Sequence, residues 1–192
     1  MNTPAHLLIG AAVFGRNAPR SVIWAAFAGA VLPDASLYVM AGVAMFLLDI
    51  PPQVVFDDLY FSDLWQTVFA IDNSVLIWGA LFAAALLWGP RWLVAFTGAA
   101  LLHVCLDFPL HHDDGRPHFW PLTDWVFASP VSYWDKAQGA LWIAPLEGAA
   151  AICASIVIWR QRPGWAVGTV TAVCLLAEVW ILRQWLFVFV DT

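Results

Sequence analysis

Apolar residues in this chain come in long stretches, each closed by proline, glycine or arginine. Residues 4–15 read as a short first helix, ended by Gly15, Arg16 and Pro19. Residues 21–48 form a long apolar stretch broken by Pro33-Asp34, either one kinked helix or two short ones. Residues 49–71 mix Pro51, Pro52, Asp57, Asp58 and Asp63 with apolar positions and end in an amphipathic turn or two. A helix is expected over 73–88, closed by Gly89-Pro90, and another over 91–110. Residues 111–137 are polar and aromatic, a loop. Residues 138–160 and 164–190 form a final helical hairpin. Stretches this long and apolar suit a bilayer. The expected fold is all-α, a polytopic transmembrane bundle of about five or six helices, in one domain spanning residues 1–192.

Composition supports lipid as the solvent. Of 192 residues, 62% are apolar and only 11% charged, whereas a soluble domain carries about 25% charged residues. A formal net charge of -6 argues against nucleic acid as a partner, since phosphate binding needs clustered Lys and Arg. Cys105, Cys153 and Cys174 lie in apolar stretches without metal-type spacing, and read as small buried hydrophobes. His6 stands where a secretory signal would be apolar, so residues 1–14 are expected to belong to the fold.

The arginines order the topology. If every apolar segment crosses, the connections at 16–20, 89–91 and 160–163 share one side, which the positive-inside rule makes cytoplasmic. The acidic segment 49–72, the 111–137 loop and the C-terminus then lie outside. Tyr60, Trp65, Trp120, Trp125 and Trp134 fit an aromatic belt at that outer interface.

Ionisable residues are costly in lipid and tend to face the bundle interior. At about 1.5 Å per residue, His6, Asp34, Asn73, Ser74, His103, Asp107, Glu147 and Glu178 fall roughly 15–24 Å above the arginine anchors. A layer drawn from every helix implies a shared polar pocket in the outer half. His103 and Asp107, four residues apart, project from one helix face and can offer two ligands to one divalent metal. The alternative is an interhelical hydrogen bond. His111, His112, Asp113, Asp114 and His118 follow closely; the bland reading is a solvated loop. Pro33 can turn Asp34 toward a central cavity, or Asp34 can cap a following helix.

The order of these motifs resembles the bacterial YdjM-like family of membrane-bound metal-dependent hydrolases. That family shows an early Thr/His on a first helix, then a Pro-Asp-x-Asp motif, a Thr-His-Ser motif, and a His-x-x-x-Asp helix ahead of a loop with a Trp-Pro pair. The corresponding places here are Thr3/His6 in TPAHLLIG, Pro33-Asp34 in VLPDAS, Asp72-Asn73-Ser74, His103/Asp107 in LLHVCLD and Trp120-Pro121 in PHFWPL, within residues 1–125. Ser36 replaces the second Asp of the Pro-Asp motif, and Asn73 the His of the Thr-His-Ser motif. The resemblance implies a single divalent metal, with zinc the expected ion. The ligands would be His6, Asp34, His103 and Asp107, completed by Asp72 or a loop histidine such as His118.

The function so implied is hydrolysis of an ester or phosphoester by metal-activated water at the outer membrane face. Asp34 or Asp107 would be the catalytic carboxylate, and Arg116 or a loop histidine would hold an anionic leaving group. A mouth in lipid suits an amphiphilic substrate. The membrane would be the bacterial inner membrane. Two other classes remain open: a small transporter or ion-binding protein using the polar layer as a path, and a scaffold whose polar layer only joins helices.

Overall fold

The computed structural model describes residues 1–187, and among them every regular element is helical. Seven helices have ten residues or more: α1 (Thr3–Phe14), α2 (Arg20–Phe46), α3 (Asp63–Asp72), α4 (Val75–Trp88), α5 (Arg91–Asp107), α6 (Ala140–Arg160) and α7 (Trp165–Phe187). Four stretches are long and apolar enough to cross a membrane: Arg20–Phe46, Asp63–Trp88, Ala140–Arg160 and Trp165–Phe187. The chain is thus a polytopic helical bundle. The last positions of the 164–190 segment lie outside the described residues.

The 21–48 stretch is one helix that runs through Pro33. Proline withholds one backbone donor, but Pro33 is buried against the bundle, where packing holds the helix on both sides of it. Asp34 is therefore mid-helix and not a cap. The mixed stretch after α2 contains a turn at Pro52–Val54, a π turn at Val55–Leu59, and then α3. Only Asn73 and Ser74 separate α3 from α4, and Ser74 caps α4 by accepting the Ile77 N–H at 3.1 Å.

The outward faces are apolar. Trp142 is 80% exposed, Leu87 69% and Leu176 69%. Water would not tolerate so many large hydrophobic residues facing it, whereas lipid does. The same reasoning corrects the cysteines. Cys174 is buried, but Cys105 and Cys153 are exposed; an apolar segment in a bilayer can place a thiol outward without wetting it. Tyr60 and Trp65 also depart from the expected belt. They are buried in a cluster with Val55 and Phe69, beneath α2.

The interior is built from small residues. The short helix α1 touches α2, α5, α6 and α7. A Cβ at Gly10 would sit 3.0 Å from the Ala30 Cβ and 3.3 Å from the Ala99 Cβ. The most extensive helix pair is α2 with α5. There a Cβ at Gly29 would lie 1.9 Å from the Phe96 carbonyl oxygen. Small residues let helix backbones approach where no hydrophobic drive exists between them, since lipid tails are as apolar as side chains.

The arginine connections gather at one end of the bundle. Arg20 and Arg162 line a common cavity with Asn17 and Gln161, and Arg91 lines another with Phe14 and Val22. At the opposite end the 111–137 segment is tied down by backbone bonds, Val75 N–H to His118 at 2.9 Å and Ser129 N–H to His111 at 3.0 Å.

Two outcomes are expected. Gly29→Ala drives a methyl into the α5 main chain and should lower stability by roughly 1–3 kcal/mol or prevent folding. Gly42→Ala, where a Cβ meets nothing within 4 Å, should be neutral; thermal unfolding in detergent compares them, and equal melting points would contradict the close approach. In a cysteine-free background, Leu122→Cys should react with an impermeant maleimide on intact cells, and Trp165→Cys should not. Equal labelling of both would contradict the orientation read from the arginines.

Candidate metal centre

Three helices deliver the site. His6 comes from α1, Asp34 from α2, and His103 with Asp107 from α5. His6 and His103 are both 1% exposed. Their rings stack with centroids 3.6 Å apart and planes 13° apart. The stack exists because α1 lies against α5 at small residues, which brings the two imidazoles into parallel register.

Asp107 is the hub. Its Oδ1 accepts from His6 Nε2 at 2.8 Å and from the Met1 ammonium at 2.5 Å. Its Oδ2 lies 3.2 Å from His103 Nε2 and 3.5 Å from His111 Nε2. His103 Nε2 is also 3.6 Å from Asp34 Oδ1. Asp34 Oδ2 accepts from Thr3 Oγ1 at 2.5 Å, and that hydroxyl is 2.6 Å from Tyr38 Oη. The backbone N–H of Asn2 donates to Glu147, so α6 joins the same polar layer.

The donors suit a metal ion. One ligand atom each from His6, His103 and Asp107 lies within 4.8 Å of the others. Two imidazole nitrogens with one carboxylate is a donor set that zinc and related divalent ions take at about 2.0–2.2 Å. His103 Nδ1 donates to the Ala30 carbonyl at 2.7 Å, which fixes the tautomer and leaves the Nε2 lone pair toward the carboxylates. A backbone carbonyl holding the second nitrogen is the usual support of a ligating histidine. His103 Nε2 and His6 Nδ1 are buried without an aligned hydrogen-bond partner, an uncommon state for buried nitrogen that an ion would relieve.

Other residues singled out from the sequence lie elsewhere. Asp72 stands beside Ser36, outside the His6, His103 and Asp107 group. Asn73 donates to the Phe69 carbonyl at 3.1 Å and reaches the Pro33 carbonyl at 3.4 Å. Ser74 donates to the Trp120 carbonyl at 2.5 Å. The Asp72-Asn73-Ser74 and Trp120-Pro121 motifs therefore meet each other through Ser74 and Trp120, outside the His6, His103 and Asp107 group. His118 is buried, with Nδ1 donating to the Arg116 carbonyl at 2.8 Å and its ring edge on Phe108. It also stands outside the three-residue group. His112 serves the loop, through its 2.6 Å contact with the Ser129 carbonyl.

His111 and Asp114, for which the sequence left a solvated loop or a part in the site open, stand beside the candidate ligands. His111 Nδ1 lies 2.8 Å from Asp114 Oδ2, and Trp134 Nε1 donates to the same oxygen at 3.0 Å. The signal was present, because His103, Asp107 and His111 are each four residues apart. Burial works against the charged form of His111, but the Asp107 and Asp114 carboxylates outweigh it and raise its pKa. Burial raises the Asp114 pKa, but the His111 contact prevails and lowers it.

Met1, Thr3, Asp34, Tyr38, Tyr60, Asp107, His111, Asp114, Arg116 and Tyr133 are among the residues lining a polar cavity of about 130 Å³ beside the cluster. Burial keeps Tyr133 and Tyr60 protonated well into the alkaline range, with both pKa values raised. They face the cavity as phenols able to donate. Comparison with family models, with curated proteins and with solved structures gives no match to this chain.

His118 supplies a pH prediction. Burial lowers its pKa from 6.5 to about 4. The unfolded chain then binds a proton at His118 that the folded chain refuses, so the contribution of His118 to stability is complete above about pH 6.5 and declines as the pH falls toward 4. Melting temperatures in detergent at pH 7.5 and 5.0 should show this loss, and His118→Asn should reduce it. An unchanged pH slope in His118→Asn would remove His118 as its source.

Proposed function

We propose that this protein is a membrane-embedded metal-dependent hydrolase that acts on an ester or phosphoester at one face of the bilayer. The observation that carries the reading is His103. Its Nδ1 is locked on a main-chain carbonyl, and its unpartnered Nε2 converges with His6, Asp107 and Asp34. The resemblance to the YdjM-like family supports it through the same four residues. Zinc is the proposed ion, and the bacterial inner membrane the proposed location.

In this reading His6, His103 and Asp107 hold the ion. The bound ion would supply Lewis acidity, acidifying a water and polarising the substrate oxygen. Asp34 would orient that water and take its proton. It is less buried than Asp107, with side-chain exposures of 22% and 8%. It also borders the cavity, with one oxygen held by Thr3 and the other free of an aligned hydrogen bond. A general base must first lie within hydrogen-bond reach of the proton it takes, and only then does its acidity matter. The substrate would be amphiphilic, because the cavity opens on a bundle whose outer surface is apolar.

A second reading, an ion- or proton-binding transporter, draws on Glu147 and Glu178. Both are buried, and each has one oxygen without a partner. A transport path must also reach the arginine end, where the core is filled by Leu8, Ala11, Ile23, Phe27 and Ile158. That packing favours the enzyme.

The test is metal content per mole of detergent-purified, chelator-free protein. Wild type should hold about one divalent ion. His103→Ala and Asp107→Ala should hold almost none while remaining monodisperse, and His112→Ala should keep most of its metal. A metal-free wild type would end the hydrolase reading. Loss in His112→Ala alone would move the site to the loop.

A further inference from the structure

Arg116 is 8% exposed and lies on the wall of the 130 Å³ cavity. Its guanidinium rests 4.1 Å from the centre of the Phe69 ring and 4.8 Å from that of Tyr60. Stacking on aromatic faces orients the planar fork, and Arg116 also reaches the Tyr60 phenol. Nη1 is buried and has no hydrogen-bond partner. Asp114, the nearest acid in sequence, directs Oδ2 to His111 and Trp134. The backbone of Arg116 is fixed as well, since its carbonyl accepts from both the N–H and the Nδ1–H of His118. A buried guanidinium with an idle donor is expensive unless something anionic completes it.

The cavity is lined by charges of both signs. Asp34, Asp107 and Asp114 are its carboxylates, and the Met1 ammonium and Arg116 its cations, with the phenols of Tyr60 and Tyr133 beside them. An anion with several oxygens would draw on Arg116, the phenols and a cation held by the candidate ligands. Size narrows the class further. Pockets for drug-sized ligands measure about 300–1,000 Å³, so this one takes a small group and not a whole lipid or peptide.

We propose that this cavity receives a phosphate group and that Arg116 is the residue that recognises it. The inference rests on the hydrolase reading in making that phosphate the reacting end of the substrate, a phosphate ester and not a carboxylic ester. Arginine binds phosphate through two parallel N–H donors, and the phenols supply further donors to the remaining oxygens. The phosphate could be carried by a lipid or by a water-soluble ester; the chemistry of recognition is the same.

The probe is inorganic orthophosphate, titrated calorimetrically into full-length, metal-loaded protein in detergent. Wild type should bind it saturably. Arg116→Gln should weaken binding at least tenfold without change in metal content, and Arg116→Lys, which keeps the charge but loses the fork, should fall between. Should Arg116→Gln fail to fold, wild type alone decides. Orthophosphate should raise its melting temperature and protect Arg116 from phenylglyoxal, whereas acetate at equal ionic strength should do neither. Absence of orthophosphate binding in metal-loaded wild type, or unchanged binding in folded Arg116→Gln, overturns the proposal and leaves the metal site standing. Orthophosphate binding through Arg116 in a protein that holds no metal supports the recognition and sinks the hydrolase reading instead. Displacement by phosphatidate in phosphatidylcholine nanodiscs, but not by glycerol 3-phosphate, identifies a lipid source; the reverse identifies a soluble one.

Discussion

The close approach of α2 and α5 at Gly29 governs the geometry of the polar centre. A Cβ at that position would lie 1.9 Å from the Phe96 carbonyl oxygen, so the two backbones touch. One residue further along α2, the Ala30 carbonyl comes within 2.7 Å of His103 Nδ1 on α5. One turn beyond, Asp34 comes within 3.6 Å of Nε2 on the same ring. A wider spacing of the helices would break both contacts together. The third helix follows the same rule, for Gly10 of α1 meets Ala30 and Ala99, and His6 one turn away stacks on His103. Small residues in the apolar half thus set the positions of the candidate ligands in the polar half.

Asp107 carries the electrostatic side of this arrangement. A carboxylate 5% exposed loses several kcal/mol of hydration unless partners restore it. Four groups surround it: the Met1 ammonium, His6, His103 and His111. They come from the N-terminus, α1, α5 itself and the loop after α5. One buried charge therefore draws together parts of the chain more than 100 residues apart. Within this cluster His6, His103 and Asp107 bring their ligand atoms close enough together to hold a metal ion.

The sequence made His103 and Asp107 legible as neighbours, and the surroundings less so. His103 and Asp107 could be read because a helix repeats faces every three to four residues. His111 follows the same spacing, but it lies past Phe108–Leu110, where α5 has ended, and an HHDD run looks like solvated loop. Asp72 looked like a ligand but stands beside Ser36, and Ser74 of the same motif caps α4 and holds the Trp120 carbonyl. Hydrogen-bonding side chains can serve a backbone or an ion with equal ease, and only the third dimension distinguishes the two. Tyr60 and Trp65 looked interfacial because aromatic residues beside acids usually are. The π turn at Val55–Leu59 and the helix after it fold these rings inward, where Tyr60 and Phe69 make the seat for Arg116. No local pattern announces a guanidinium lying on rings from a different segment.

The distribution of packing explains why chemistry would be confined to one end. Toward the arginine connections the core is closed by Leu8, Ala11, Ile23, Phe27, Ala151 and Ile158, and α2, α5 and α1 meet there at methyl-sized contacts. Toward the other end the same helices carry His6, Asp34, His103 and Asp107. There the apolar filling gives way to a cavity that the 111–137 segment covers. An ion moving through would have to part helices whose main chains already touch, which a rigid crossing at Gly29 resists. A reagent entering from the covered end meets no such barrier. The fold therefore separates a stiff, apolar base from a polar cup, and the base is what keeps the cup in register.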